Sequence, residues 1–138
     1  MRNLLVPLLY FILCFSFKAQ EKQKRELTFT KWECKIAEDC INTYEFITDS
    51  TFKFFSCEME DVYFRDYYFK DGFLMLDEKE SIYDKNLTES SIHRSERKLY
   101  KVIIEKDKLK HLSMSTWTND KWVQSDFKFD SNYIYIKK

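Results

Sequence analysis

Glycine and proline are almost absent from this chain of 138 residues, which has one of each. The proline, Pro7, lies near the N-terminus, and the glycine is Gly72. With a single glycine, a glycine-rich phosphate loop and the G-x-S-x-G element of hydrolases are both impossible. Turns must therefore be made mainly by asparagine, aspartate, serine and lysine residues.

An excess of charge of either sign is also absent. The chain has 23 Lys and Arg residues and 23 Asp and Glu residues, and the two signs are interspersed. A protein that binds nucleic acid usually presents a basic face, which this composition does not supply. We therefore expect no nucleic-acid partner.

Patterns that carry catalysis or bind metal are missing as well. There is no H-E-x-x-H element, and the two histidines, His93 and His111, lie far apart. His111 alternates with Leu112 in a predicted strand, which is typical of a packed or edge residue rather than a catalytic base. Cys34 and Cys40 are separated by five residues, unlike the close pairs of zinc sites. We expect no enzyme, no catalytic residue, no metal and no cofactor.

Residues 1–20 have the pattern of an export signal. Arg2 is followed by an apolar run, Leu4–Phe17, and then by Lys18-Ala19-Gln20. The run is too short for a comfortable membrane span, which needs about 20 apolar residues. The pattern predicts a secretory signal peptide that is cleaved after Ala19.

The predicted organisation is a signal peptide at residues 1–19 and one domain at residues 20–138. The mature protein is then exported, either periplasmic or secreted, and has no stable membrane span. A lipoprotein modified on Cys14 and a retained N-terminal anchor are the two alternatives.

The stretch 42–58 predicts a β-hairpin. The aromatic residues of its two arms keep one parity, which marks a buried face; they are Tyr44, Phe46, Phe52 and Phe54. Short polar residues between the arms supply the turn. With Asp49 at the tip, Phe46 faces Phe52. Tyr44 then faces Phe54, and such aromatic pairs stabilise a sheet.

Further strands follow from alternating apolar residues and turn signals. They are predicted over residues 27–36, 62–69, 73–77, 98–105, 109–117, 122–129 and 133–136. Asp71-Gly72 predicts a type I′ turn that pairs Lys70 with Phe73. The turn at 118–121 sets Trp117 opposite Trp122.

Two stretches lack this pattern. Residues 21–26 are charged and predict a loose lead-in, and residues 78–97 predict a long polar loop or a short helix. The pattern as a whole predicts an all-β fold, an antiparallel up-and-down meander of eight or nine strands, closed as a barrel or folded as a sandwich.

Three cysteines remain after removal of the signal: Cys34, Cys40 and Cys57. Exported proteins meet an oxidising compartment, so one disulfide is expected. In the hairpin register Cys57 lies opposite Ile41, which favours the pair Cys40–Cys57. The alternative is Cys34–Cys57, because Cys34 shares a face with Trp32 and would meet a strand across the sheet.

One face of the predicted strand 62–69 is a candidate ligand surface. It carries Tyr63, Arg65, Tyr67 and Phe69. If this face points inward, it lines a ligand cavity with one charged anchor. If it points outward, Arg65 lies over the aromatic rings.

The order and spacing of four motifs resemble the small lipocalin-like domains that Bacteroidetes export. The motifs are Trp32, the F-x-x-D-x-T-F-x-F hairpin at 46–54, Y-x-F-K-D-G-F-L-x-L at 67–76 and K-L-Y-K-V-I-I at 98–104. The Ala-Gln ending of the signal also resembles signals of that group. Lipocalins have G-x-W in the first strand, where the tryptophan closes the barrel floor; the triplet here is Thr30-Lys31-Trp32.

The resemblance implies an eight-stranded barrel with a small apolar cavity and no catalytic residues. The predicted function is therefore that of an exported lipocalin-like protein that binds a small hydrophobic ligand in the barrel. The alternative is a module of the envelope, or a secreted one, that binds or inhibits another protein without a small ligand.

Overall fold

The computed structural model describes residues 19–78 and 97–138, and most of these residues lie in antiparallel strands. A short helix, α1, occupies residues 19–27. The nine strands found within these ranges are β1 (Lys31–Ala37), β2 (Cys40–Phe46), β3 (Thr51–Ser56), β4 (Asp61–Lys70), β5 (Phe73–Glu78), β6 (Lys98–Glu105), β7 (Lys108–Thr118), β8 (Lys121–Gln124) and β9 (Ile134–Lys137).

Eight of the strands close into a barrel. Strands β1 to β7 pair with their neighbours in chain order, and β9 pairs with both β7 and β1. The ninth strand, β8, pairs with the last part of β7 and lies outside the ring. The predicted all-β, antiparallel, lipocalin-like barrel is therefore confirmed, with β8 as an extra strand.

The predicted registers of the hairpins are confirmed. Phe46 faces Phe52 across β2 and β3, and Lys70 faces Phe73 across β4 and β5. Asp71 and Gly72 both have positive φ, 53° and 78°, as a type I′ turn requires. Such turns match the twist of the strands that they join, so the local sequence decides the register.

The predicted strand over residues 122–129 is wrong in its second half, because β8 ends at Gln124. Ser115 of β7 faces Gln124, whereas Lys110 faces Ile134. Five steps along β7 thus correspond to ten residues along the partner. The partner chain therefore has five more residues than β7 between these two pairings, and residues 125–133 lie outside the strands. We call residues 125–133 the aromatic segment because they include Phe127, Phe129 and Tyr133.

The predicted loose lead-in at 21–26 is also wrong, because these residues belong to α1. Leu27 at its end is 3% exposed and packs in the core, while Lys22 and Glu26 form an exposed ion pair of 3.7 Å on the outer side. Leu27 therefore anchors this nine-residue helix to the core, and the i,i+4 ion pair supports the helix itself. The strand predicted from Leu27 accordingly begins at Lys31.

Two ends of the barrel can be distinguished. At the helix end, α1 lies near the Asp71-Gly72 turn and the β6–β7 turn, and these elements line a cavity of about 300 Å³. At the opposite end, the disulfide end, Cys40 and Cys57 join the start of β2 to the turn after β3. The predicted signal at 1–19, apart from Ala19, and the predicted loop or helix at 78–97, apart from its first and last residues, lie outside the described residues.

The barrel interior is filled mainly by aromatic side chains. Tyr44 stacks on Tyr135 with ring centroids 4.2 Å apart, and Phe46 meets Tyr67 edge-on at 5.0 Å. Aromatic pairs of this geometry contribute beyond the area that they bury. The fully enclosed side chains are Trp32, Cys34, Phe46, Phe52, Tyr67, Leu74, Leu76, Val102, Leu109 and Tyr135.

Cys40 and Cys57 are bonded, with Cα atoms 5.3 Å apart, and Cys34 is free and buried. The predicted pair is therefore confirmed and the alternative, Cys34–Cys57, is wrong. Cys34 is buried on β1, where it lies opposite Asn42 of β2.

Replacing Cys40 and Cys57 together by serine is expected to lower the free energy of unfolding by about 3 kcal/mol, because the bond closes a loop of 17 residues. Urea unfolding of the oxidised protein and of the double variant measures the difference. Reductant should lower the stability of the parent protein by a similar amount and leave the variant unchanged. A variant as stable as the oxidised parent would contradict this expectation.

Candidate functional site

The candidate site is a cavity of about 500 Å³ in the half of the barrel toward the disulfide end. It reaches Glu78, the last residue of β5, and Lys98, the first residue of β6. Strands β2, β3, β5, β6 and β7 and the aromatic segment supply its walls. The lining residues are Tyr44, Phe54, Glu78, Lys98, Tyr100, His111, Met114, Phe127, Phe129, Asp130 and Tyr133.

The aromatic segment covers one side of this cavity. Phe129 stacks on the ring of His111, with centroids 4.8 Å apart, and Phe127 meets Phe129 edge-on at 5.1 Å. Ser125 still donates a backbone hydrogen bond to the carbonyl of Met114, at 2.8 Å, before the chain leaves β7. The departure from the ladder is thus what brings Phe127 and Phe129 to the cavity.

His111 is a buried residue of the lining, with 7% of its surface exposed. Its Nε2 lies 3.0 Å from the hydroxyl of Tyr44, and its Nδ1 has no hydrogen-bond partner in the described part of the chain. Burial penalises the charged ring and lowers the pKa of His111 to about 3. The imidazole is therefore neutral at neutral pH, and the packed position expected for His111 is the one that the structure shows.

Three tyrosine hydroxyls extend from His111 toward the disulfide end. The hydroxyls of Tyr133 and Tyr135 are 3.1 Å apart, and Tyr135 hydrogen bonds to Tyr44. Asn42 hydrogen bonds to Tyr133, and its Oδ1 accepts the backbone N–H of Cys57 at 2.9 Å. Burial raises the pKa of each phenol, so all three keep their protons at neutral pH.

A partly buried ion pair borders the cavity on the side of β4 and β5. Nη1 of Arg65 lies 3.0 Å from Oε2 of Glu78, and the two side chains are only 11% and 19% exposed. Burial raises the pKa of Glu78, and the charge of Arg65 opposes the rise. Tyr100 hydrogen bonds to the same carboxylate, and the Arg65 guanidinium lies 4.9 Å from the ring centre of Tyr63.

The four predicted ligand-binding residues face inward but do not meet at one place. Tyr67 is buried in the core, where its hydroxyl donates to the carbonyl of Thr48 at 2.7 Å. Phe69 lines the smaller cavity at the helix end. Tyr63 and Arg65 lie beside the larger cavity, since Tyr63 stacks on Phe54 with centroids 6.1 Å apart and Arg65 pairs with Glu78. Contact of these four residues with a ligand stays a prediction.

Sequence reasoning missed most of the cavity lining. His111 shares its parity with Leu109, which was a signal that both point inward, but the register shift at Leu112 hides the continuation to Met114. The alternation of Tyr133 and Tyr135 with isoleucines marked an inward face of β9 without showing that their hydroxyls meet. Phe127 and Phe129 were assigned to a strand that does not form there.

Residues 19–78 and 97–138 contain neither a metal-binding cluster nor a membrane-spanning helix. No group of three or more His, Cys, Asp or Glu side chains in these ranges is arranged to hold a metal ion. In the same ranges, no helix has the length and apolar character needed to cross a membrane. Comparisons of the chain with protein-family models, with curated proteins and with solved structures find no match.

Proposed function

We propose that this protein is an exported lipocalin-like binding protein that holds a small hydrophobic ligand in the cavity at the disulfide end. The observation that carries the proposal is the cavity itself, about 500 Å³ in volume, between the strands of a closed barrel and the aromatic segment. Ligand pockets in proteins have volumes of about 300 to 1,000 Å³ and mainly apolar walls with a few polar groups. This cavity has both properties.

The chemistry of the walls supports an apolar ligand. Phe54, Met114, Phe127 and Phe129 supply carbon surface, and the charged groups at the edge are of both signs. Aromatic walls favour flat molecules, because ring faces and edges stack on a planar ligand. Two residues of β4 support this lining: Tyr63 stacks on Phe54, and Arg65 forms an ion pair with Glu78.

Export is supported by two independent features. Residues 1–19 have the order of a signal peptide, and the bonded pair Cys40–Cys57 fits an oxidising compartment. The motif order that resembles the lipocalin-like domains of Bacteroidetes supports a periplasmic or secreted location.

Replacing Met114 by tryptophan is expected to abolish binding of a small apolar dye, because the larger side chain occupies the cavity that Met114 lines. N-phenyl-1-naphthylamine, a neutral dye that fluoresces when it leaves water, is titrated into the mature protein. We expect saturable binding by the parent protein and at least about a tenfold loss of affinity in the variant, equivalent to about 1.4 kcal/mol.

Leu112→Trp is the matched control, because Leu112 lies on the same strand and is exposed on the outer side. It should bind the dye as the parent does. Equal dye binding by all three proteins would place the dye elsewhere and remove the support for this cavity. Native mass spectrometry of the protein, purified unreduced from its own envelope, then identifies the natural ligand as a mass excess that vanishes on denaturation.

A second candidate function is binding of another protein through β8. This strand pairs with β7 alone, so its other edge has no strand partner in the described ranges. Val123 on β8 and Trp117 on β7 are exposed, which gives that edge an apolar surface. Exposed edges of this kind accept a strand from a partner. A Val123→Lys variant that keeps dye binding and loses a partner found by crosslinking in the envelope would favour this function.

A further inference from the structure

The cavity at the helix end, about 300 Å³ in volume, shares no lining residue with the larger cavity and has no part in the proposed function. Its volume is that of about ten water molecules in the liquid, at about 30 Å³ each, so it has room for a small organic molecule. Core and partly buried side chains supply its apolar wall: Leu27, Trp32, Phe69, Leu74 and Ile104.

The inward-facing row of β9 ends on a lysine at this cavity. Tyr135 is fully buried in the barrel, and Lys137 has the same parity two residues later. Lys137 lies directly opposite Trp32 of β1, and its ammonium group is 5.9 Å from the centre of the indole ring. The charge of Lys137 is therefore held beside an aromatic ring of the cavity wall.

A second lysine reaches the same cavity from the turn after β6. Val102 of β6 is fully buried, Ile104 lines the cavity, and Lys106 follows with the same spacing and lines the cavity as well. The backbone N–H of Lys137 donates to the carbonyl of Asp107 at 2.9 Å, which ties the end of β9 to this turn. Two elements that hydrogen bond to each other thus supply both lysines.

The edge of this cavity has an excess of positive charge. Among residues 19–78 and 97–138, neither Lys106 nor Lys137 forms an ion pair with a carboxylate. The acidic residue of the lining is Glu26, whose carboxylate is 3.7 Å from Lys22. The lining of the larger cavity differs, because it contains Glu78 and Asp130 but one lysine, Lys98.

We infer that the cavity at the helix end binds a small amphipathic organic anion, with its apolar part against Trp32 and its anionic oxygens at the ammonium groups of Lys106 and Lys137. Both lysines are exposed, so the charged group of the ligand stays near water while its apolar part leaves water. Hydrogen bonds from ammonium groups to anionic oxygens are stronger than those between neutral groups. The site lies at the opposite end of the barrel from the proposed ligand cavity and does not rest on the proposed function.

Octanoate is the probe for this site, and 1-octanol is its uncharged counterpart with the same hydrocarbon chain. Isothermal titration calorimetry of the mature protein at low ionic strength measures both affinities. We expect saturable binding of octanoate that weakens as salt is added, because salt screens the attraction between exposed charges. The affinity for octanol should not depend on salt in this way.

Two variants remove the charges one at a time. Lys137→Met keeps an unbranched side chain beside Trp32, and Lys106→Asn suits the positive φ of 57° at that position. Each is expected to lower the affinity for octanoate about tenfold and to leave that for octanol unchanged. Lys121→Met is the matched control, because Lys121 is exposed on β8 and lines neither cavity, and it should bind octanoate as the parent does.

The Met114→Trp variant locates the probe. It blocks the larger cavity, so it should bind octanoate with the affinity of the parent, and octanoate should not displace N-phenyl-1-naphthylamine. Loss of octanoate binding in Met114→Trp would place the anion in the larger cavity and overturn the inference. Absence of octanoate binding by the parent, or equal affinities in Lys137→Met and Lys121→Met, would overturn it as well.

The two proposals can fail separately. Octanoate binding that depends on Lys137, in a protein that does not bind the dye, would support the site at the helix end and remove the support for the proposed function. Dye binding that depends on Met114, without binding of octanoate, would leave the proposed function in place and overturn the inference.

Discussion

Trp32→Ala is expected to lower the free energy of unfolding by about 3–5 kcal/mol, the usual cost of removing a large buried aromatic side chain. Trp32 is 2% exposed, and its indole N–H donates to Oγ1 of Thr30 at 2.8 Å. The ammonium group of Lys137 lies 5.9 Å from its ring centre. The variant therefore loses packing, a hydrogen bond and a cation–π contact together. Urea unfolding followed by circular dichroism measures the loss.

Two further variants test whether the loss of stability is specific to Trp32 at the helix end of the barrel. Trp32→Phe keeps a ring and should lose less than Trp32→Ala. Phe29→Ala is the control for loss of an aromatic residue, because Phe29 lies three residues before Trp32 and is 86% exposed, and the stability of this variant should match that of the parent. Equal free energies of unfolding for Trp32→Ala and Phe29→Ala would show that Trp32 does not stabilise the helix end of the barrel.

The position of Trp32 shows what the sequence could predict. The resemblance to lipocalin-like domains places a tryptophan of the first strand at the barrel floor, and Trp32 lines the cavity at the helix end beside Leu27. The alternation of aromatic residues also predicted that Phe46 would face Phe52, because a slip of one strand by one residue would turn one of the two rings to solvent. Pairings fixed by adjacent residues and a short turn are local, and local patterns are visible in a sequence.

The aromatic segment shows where such reasoning stops. Phe127 and Phe129 alternate with polar residues just as strand residues do, so their pattern predicted a longer β8. What ends the strand is the arrival of β9 on the same edge of β7, where Lys110 faces Ile134. That competition involves pairings distant in sequence, and no local pattern records it.

The candidate site was less predictable than the fold for a related reason. The row of four residues on one face of β4 points inward, which is one of the two orientations that the sequence left open, but a row along one strand crosses the barrel from one end to the other. A cavity instead collects one or two residues from each of several strands. Tyr44 and His111 are 67 positions apart in the sequence and hydrogen bond to each other. Only the closure of the barrel brings them together.

Glu78→Gln is expected to lower the free energy of unfolding by about 3–5 kcal/mol, because it leaves the largely buried Arg65 guanidinium without its counter-charge. Arg65→Met should cost less, although it breaks the same ion pair. The carboxyl group of Glu78 can accept a proton when its partner is removed, and burial already raises its pKa. The guanidinium of Arg65 cannot become neutral in this way, because it keeps its charge in proteins.

The double variant Arg65→Met with Glu78→Leu should recover most of the stability lost in Glu78→Gln, because apolar residues of similar volume replace a buried ion pair at little cost. Glu45→Gln is the matched control for an exposed pair: its carboxylate lies 2.6 Å from Lys53, but the side chains are 44% and 35% exposed. That change should cost less than about 1 kcal/mol. Equal losses in Glu78→Gln and Glu45→Gln would show that the barrel interior does not isolate Arg65 from water. The expected inequality instead means that Glu78 neutralises the charge of Arg65 at the edge of the larger cavity and keeps an unpaired cation away from its apolar walls.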